Sequence, residues 1–190
     1  MLSAKLGHFL DIPLAPLVKR LPFGPNVLTV TGFVVTCVAA LVIPYNIRLG
    51  GILILLGGVF DVLDGIAART RAKVTKFGAF LDSVFDRYSD AFLFLALAWY
   101  FLARGDYAGA LLSIITLIGA FLISYARSRA EGLGESCQTG IMERGERLIL
   151  LIFGTLTGWI VPVMWVMAVL THITVIQRIY HVRKTMKEKC

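Results

Sequence analysis

Four aspartates are the residues of this sequence best suited to catalysis. Asp61 and Asp64 are three positions apart, and Asp82 and Asp86 are four apart, so each pair shares one face of a helix. Both pairs adjoin apolar segments, and a charge at mid-membrane costs at least about 2.5 kcal/mol. Two helices pressed together along these faces would bring the four carboxylates to one point, where cations or protons must neutralise them.

The residues around the aspartates indicate a metal-assisted site for a phosphate ester. There is no histidine or cysteine among them, and an all-oxygen donor set favours Mg²⁺ or Mn²⁺ over zinc. Gly65 removes a side chain beside the carboxylates, so a bulky group can approach the backbone. Arg69, one turn further along, offers a planar fork that suits phosphate oxygens.

The pattern D-x2-D-G-x2-A-R-x8-G-x3-D-x3-D is complete from Asp61 to Asp86. It resembles the signature of the CDP-alcohol phosphotransferase family, which are integral-membrane enzymes of phospholipid synthesis. The resemblance implies that Asp61, Asp64 and Asp82 bind the metal. It also implies that Asp86, a further candidate ligand, is the general base.

An upstream segment, Pro25 to Gly32, is similar to the P-N-x-L-T-x-x-G start of many family members. In a helix of any function, Asn26 could simply be the cap and Thr29 could bond its own helix. The resemblance instead places this segment near the nucleotide. The residues that it implies for CDP-lipid binding are Asn26, Thr29, Asp61, Asp64, Gly65, Ala68, Arg69, Thr75, Gly78 and Asp82.

Composition predicts an all-α membrane protein with a single domain. Of the 190 residues, 57% are hydrophobic, which is too many for a soluble domain of this size. Six apolar stretches approach the 20 or so residues that a bilayer requires. They predict a six-helix bundle over residues 27–184, with spans at about 27–47, 50–70, 78–103, 107–130, 147–160 and 162–181. Helical spacing of apolar residues in 1–20 predicts a short amphipathic helix on the membrane surface.

The distribution of basic residues predicts the orientation. The outer turns hold Arg48 and Arg104, and the other Lys and Arg residues of the 19 lie on the opposite side. The positive-inside rule makes that side cytoplasmic. Both termini and the aspartates should then face the cytoplasm from the cell membrane. The net charge of +7 is assigned to these loops, and no nucleic-acid partner is expected.

A second cluster consists of arginines at the predicted cytoplasmic ends of the last three spans. A single arginine at such a position would be explained by the positive-inside rule alone. Several arginines above one cavity instead favour an acceptor substrate that carries a phosphate. The segments 129–131, 140–147 and 177–178 resemble the family branch that uses inositol phosphate. Four arginines are therefore expected to bind the acceptor phosphate, with Arg147 beside them: Arg127, Arg129, Arg144 and Arg178.

These observations predict an enzyme that transfers a phosphatidyl-type group from a CDP-linked lipid to a phosphorylated polyol, with release of CMP. Inositol 1-phosphate is the preferred acceptor. Glycerol 3-phosphate also carries the phosphate that the arginines would recognise, so a phosphatidylglycerophosphate synthase is the first alternative. A cation or proton transporter is the second, since transporters also place aspartates at mid-membrane. The resemblance further implies a homodimer.

Overall fold

The computed structural model describes residues 24–70 and 75–188, and these form helices joined by short turns, with no strand among them. The helices of this part of the chain are α1 (Pro25–Val42), α2 (Ile47–Thr70), α3 (Lys76–Leu102), α4 (Tyr107–Gly132), α5 (Arg144–Thr157) and α6 (Ile160–Glu188). The all-α prediction is therefore confirmed. The surface helix predicted for residues 1–20 lies outside the described residues.

Helix boundaries follow local sequence signals. α1 ends at Val42, earlier than predicted, and a turn over 43–45 follows. The Asn46 side chain then accepts a hydrogen bond from the Leu49 amide, so α2 begins before Gly50 rather than at it. Thr75 caps α3 by accepting from the Gly78 amide, at 2.9 Å. α5 is only 14 residues long, or about 21 Å.

The six helices pack in a closed ring. α1 packs against α2 and α3, α2 also packs against α5, α5 against α6, α6 against α4, and α4 against α3. The motif helices α2 and α3 thus have α1 as their common neighbour, whereas the sequence suggested that they press against each other. The core of the ring is apolar and includes Ile54, Phe94, Leu97, Leu151 and Met164.

Three of the described helices are long and apolar enough to cross a membrane, with candidate spans at Ile47–Ala67, Tyr107–Gly132 and Ile160–Lys187. α1 is apolar but shorter. Large apolar side chains are exposed on the outer faces of the bundle, for example Val34 on α1 and Trp99 on α3. An apolar outer surface of this extent is typical of a protein that is solvated by lipid.

A buried ion pair crosses the interior of the ring. Arg147 of α5 is 1% exposed, and its Nη2 lies 2.8 Å from Oδ2 of Asp90 on α3. Arg87 also approaches Asp90, at 3.7 Å. Arg87 lies three residues before Asp90 on the same helix, but the closer partner of Asp90 comes from another helix. Arg147 therefore serves the packing of α3 and α5.

Removal of Asp90 should destabilise the protein strongly. Asp90→Ala leaves the Arg147 charge buried without its closest partner, and breaking a buried pair in this way typically costs about 3–5 kcal/mol. The expected result is a clear fall in the thermal midpoint of the detergent-solubilised protein. Glu131→Ala is the control, because its pair with Arg127 is exposed and worth about 0.3–0.5 kcal/mol. Equal midpoints for both variants would contradict the prediction.

Close helix contacts through glycine give a second test. A Cβ at Gly51 of α2 would overlap the side chain of Thr155 on α5, whereas one at Gly58 meets nothing within 4 Å. Gly51→Ala should therefore cost about 1–3 kcal/mol through overpacking. Gly58→Ala should be neutral or gain up to about 1 kcal/mol of helix propensity. Thermal unfolding of the two variants in one detergent compares them, and a tolerated Gly51→Ala would show that α2 and α5 are less closely packed.

Candidate active site

α2 and α3 bring the four aspartates to the same end of the ring, beside the start of α1. Asp64 is buried at 8% exposure, and its Oδ2 has no hydrogen-bond partner within the described part of the chain. The Thr29 hydroxyl of α1 lies within hydrogen-bonding reach of this carboxylate. Asp61 lies against Gly32 of α1, where a Cβ would be 3.1 Å from Asp61 Oδ1. The small residue lets α1 approach the carboxylates closely.

Arg144 joins the two motif helices. It is the first residue of α5, and its Nη1 lies 2.6 Å from Asp61 Oδ2 and 2.7 Å from Asp86 Oδ1. A guanidinium is always protonated in proteins, and here it pairs with the carboxylates of Asp61 and Asp86. Arg144 is therefore cationic at every physiological pH. The sequence placed Arg144 with the acceptor phosphate and missed this contact.

The donor set suits a hard divalent cation, since it consists of carboxylate oxygens and includes a buried oxygen without a partner. Within the described ranges, however, no three acidic, histidine or cysteine side chains are close enough together to hold an ion in their present positions. A nitrogen of Arg144 lies between two of the candidate ligand oxygens. The four-aspartate metal site therefore stays a prediction.

Several of the predicted nucleotide-binding residues meet where α1 and α3 begin. A Cβ at Gly78 would lie 2.9 Å from Thr75 Oγ1 and 3.4 Å from Asn26 Oδ1, so these three residues are neighbours. On α2, a Cβ at Gly65 would lie 3.3 Å from Nη1 of Arg69. The Arg69 guanidinium thus lies over Gly65, the residue that follows Asp64. The side chain of Ala68 lies outside those that the structure describes.

A polar cavity of about 420 Å³ opens beside the aspartates. It is lined by Asp86 and by side chains of α3, α4, α5 and α6. Arginines dominate its charge, and Glu131 and Glu143 accompany them. The arginines of the lining are Arg87, Arg127, Arg144, Arg147 and Arg178. The cavity therefore combines a carboxylate that could take a proton with cations that could hold a phosphate.

Arg129 does not line this cavity. It lies two positions after Arg127 on α4, which is more than half a turn around the helix, and it lines an apolar groove between α4 and α6 instead. The position of Arg129 therefore does not support the expectation that it binds the same phosphate as Arg127. Both side chains are exposed, and Arg127 pairs with the carboxylate of Glu131 at 2.8 Å.

Arg178 lines the cavity but is held by the backbone. It is 2% exposed, and its Nε donates to the Thr139 carbonyl at 2.8 Å. Its Nη1 donates to the Ile123 carbonyl, and Glu143 lies 3.8 Å from Nη2. Arg178 thus fixes the loop before α5 against α4 and α6, a structural function that the sequence did not indicate. This loop in turn positions Arg144.

Comparison with known proteins identifies the family. The family model for CDP-alcohol phosphatidyltransferase matches residues 23–179. The archaetidylinositol phosphate synthase of Pyrococcus horikoshii is 40% identical over 165 residues, which are 86% of this chain and 85% of the relative. The phosphatidylinositol phosphate synthase of Mycobacterium tuberculosis has been solved with CDP-DAG bound. That structure is 32% identical and superposes with a TM-score of 0.81 over 90% of this chain and 92% of the other.

A second structure of the mycobacterial synthase, in complex with manganese and citrate, superposes with a TM-score of 0.82 at 32% identity, over 90% of this chain and 88% of the other. These matches extend over nearly all of the residues that form the ring and the aspartate cluster. They decide against the transporter alternative. The chain belongs to the CDP-alcohol phosphatidyltransferase family of enzymes.

Proposed function

We propose that this enzyme transfers a phosphatidyl-type group from a CDP-linked lipid to the hydroxyl of inositol 1-phosphate and releases CMP. The observation that carries this proposal is the polar cavity, which joins Asp86 to a set of arginines. Two relatives are named as synthases of inositol phosphate lipids, one archaetidyl and one phosphatidyl. Arg127 and Arg144 pair here with carboxylates of the chain itself, and a phosphorylated acceptor, unlike a neutral one, could replace those carboxylates as the anionic partner.

Asp61, Asp64, Asp82 and Asp86 would hold Mg²⁺ or Mn²⁺. The related mycobacterial synthase was solved with manganese. When bound, the ion supplies positive charge that neutralises the pyrophosphate of the CDP-lipid. Arg69 would hold a phosphate of the same substrate beside Gly65. Asn26, Thr29, Thr75 and Gly78 lie at the helix starts above the cluster, where they would contact the nucleotide.

Asp86 is positioned to accept the proton of the acceptor hydroxyl. It lines the polar cavity and also contacts Arg144, so it belongs to both the cavity and the aspartate cluster. The hydroxyl oxygen would form a bond to the phosphorus of the phosphatidyl group while the bond to CMP breaks. Arg127 and Arg144 would hold the acceptor phosphate and thereby aim the hydroxyl at the phosphorus.

We also propose that residues 1–190 form one domain, in which all six helices of the bundle over residues 27–184 lie within the membrane. α1 and α5 are shorter than a full span, but both pack against α2, which is a candidate span itself. Local thinning of the bilayer accommodates such short helices. By the positive-inside rule, the distribution of basic residues supports a cytoplasmic side of the cell membrane for the cavity and both termini. The surface helix in 1–20 and the homodimer belong to the same proposal.

Asp86→Asn tests the assignment of the base. Loss of a general base is typically worth about 10²–10⁴-fold in rate. The variant should therefore lose turnover, measured as CMP release, while it binds the CDP-lipid nearly as well as the parent in a direct binding assay. CMP release by the parent should also stop in excess chelator. A parallel loss of CDP-lipid binding in Asp86→Asn would show that Asp86 acts as a substrate or metal ligand and would remove the evidence that it is the base.

The acceptor is tested by a panel of labelled alcohols with one CDP-lipid. Inositol 1-phosphate should react best, glycerol 3-phosphate less well, and free inositol or serine hardly at all. Arg127→Gln should raise the acceptor KM by about one to two orders of magnitude, since a charge-assisted contact contributes about 1.5–3 kcal/mol. The KM for CDP-lipid should barely change. Arg129→Gln is the matched control, because it removes the same charge from the same helix outside the cavity.

If free inositol reacted as well as its phosphate, the acceptor proposal would fail, and the arginines would serve only to set the orientation of the helices in the membrane. If Arg127→Gln and Arg129→Gln had equal effects, a general loss of positive charge would explain both. Neither result would affect membership of the family. Preference for glycerol 3-phosphate would instead make the enzyme a phosphatidylglycerophosphate synthase.

A further inference from the structure

Arg144 belongs to two sites at once. Its Nη1 contacts Asp61 and Asp86, which are candidate metal ligands, at 2.6 and 2.7 Å. The same side chain lines the polar cavity where the acceptor phosphate is proposed to bind. Its Nε has no hydrogen-bond partner in the described part of the chain, although the atom is buried. The Nε–H group of the guanidinium is therefore available to donate a hydrogen bond to a further ligand.

The guanidinium and a divalent ion would compete for the same oxygens. A magnesium ion binds carboxylate oxygens at about 2.0–2.1 Å. A guanidinium nitrogen that already lies between Asp61 Oδ2 and Asp86 Oδ1 excludes an ion from that space. Charge favours the same exclusion, because a cation repels a second cation at this distance. An ion can bind to both carboxylates only when Arg144 moves away.

The movement that this requires is a side-chain rotation. The backbone of Arg144 lies at the start of α5, next to Glu143, and the loop before it is fixed through Arg178. Helix α5 therefore stays in place while the long Arg144 side chain turns. The polar cavity is the space beside it that can receive the guanidinium, because the carboxylates of Glu131 and Glu143 in its lining offset part of the charge of the other arginines.

We propose that Arg144 couples metal binding to acceptor binding. In the absence of an ion it neutralises Asp61 and Asp86, and when a divalent ion takes its place the guanidinium turns into the cavity and binds the acceptor phosphate. This inference rests on the proposed function, because it takes the ligand of the cavity to be a phosphorylated alcohol. Its consequence is an order of events: the acceptor binds tightly only after the metal has bound.

Reciprocity makes the coupling measurable from either side. If the metal increases the affinity for the acceptor, the acceptor must increase the affinity for the metal by the same factor. Arg144 should also weaken metal binding when no acceptor is present, because the ion must displace it. A substitution of Arg144 removes the guanidinium that competes with the ion. It should therefore strengthen metal binding, although it removes a side chain from the active site.

The experiment is a titration of the purified protein with Mn²⁺ alone, followed by the EPR signal of the free ion. Arg144→Gln should bind Mn²⁺ about tenfold more tightly than the parent, a factor within the usual range of coupling between sites. Arg127→Gln is the matched control, since it removes a cation from the same cavity that contacts Glu131 rather than the aspartates. Its affinity for Mn²⁺ should stay within about twofold of the parent.

Unchanged or weaker Mn²⁺ binding by Arg144→Gln, in a variant that keeps the parent's circular dichroism spectrum, would overturn the proposal. Equal strengthening in Arg127→Gln would also overturn it, because a general effect of charge would then suffice. A second measurement needs no variant. Calorimetric titration of the parent with inositol 1-phosphate should give about tenfold tighter binding in Mn²⁺ than in chelator, and equal affinities would contradict the coupling.

The two proposals fail separately. If inositol 1-phosphate does not bind under either condition, the acceptor assignment is wrong, whereas the competition between Arg144 and Mn²⁺ is still decided by EPR. If inositol 1-phosphate reacts as proposed but Arg144→Gln does not strengthen Mn²⁺ binding, the function stands and the coupling is wrong.

Discussion

The need to neutralise carboxylates inside an apolar bundle governs this structure. Asp61, Asp64, Asp82 and Asp86 lie together at one end of a ring whose core is apolar. Ionised carboxylates in such surroundings must be paired or must coordinate a metal. Arg144 meets part of this need by contacting two of them. Asp64 is the least neutralised of the four, because one oxygen of its carboxylate is buried and accepts no hydrogen bond from a described residue. It is therefore the candidate ligand that would benefit most from a bound ion.

The ring order explains how one site can serve two substrates. α1 packs against both motif helices, and the starts of α1 and α3 bring together Asn26, Thr75 and Gly78 on the side proposed for the nucleotide. On the other side, α4, α5 and α6 contribute arginines to the polar cavity. Asp86 lies where the two regions meet. A phosphoryl transfer in which donor and acceptor approach from different sides needs this arrangement, because positioning supplies much of the catalysis.

The sequence predicted more of the fold and the aspartate cluster than of the contacts between helices. Apolar stretches identified all six helices, because lipid-facing and core residues both have to be apolar in such a bundle. The ends of α1 and α5 were less accurate, since caps and turns set them. The partners of Arg144 and Arg147 are 83 and 57 residues away in the chain, so no local spacing could indicate them. Arg129 shows another limit of the sequence, because its proximity to Arg127 in the chain suggested a shared site, whereas the two side chains line different cavities.

The short helix α5 accounts for the position of Arg144. α5 begins at Arg144 and ends at the Gly158 turn, where Gly158 adopts φ +83°, and it has 14 residues. At about 21 Å, α5 is shorter than the helices α2 and α6 that pack against it, and its N-terminus lies beside Asp61 and Asp86, which Arg144 contacts. The positive end of the helix dipole and the Arg144 charge therefore face the same carboxylates.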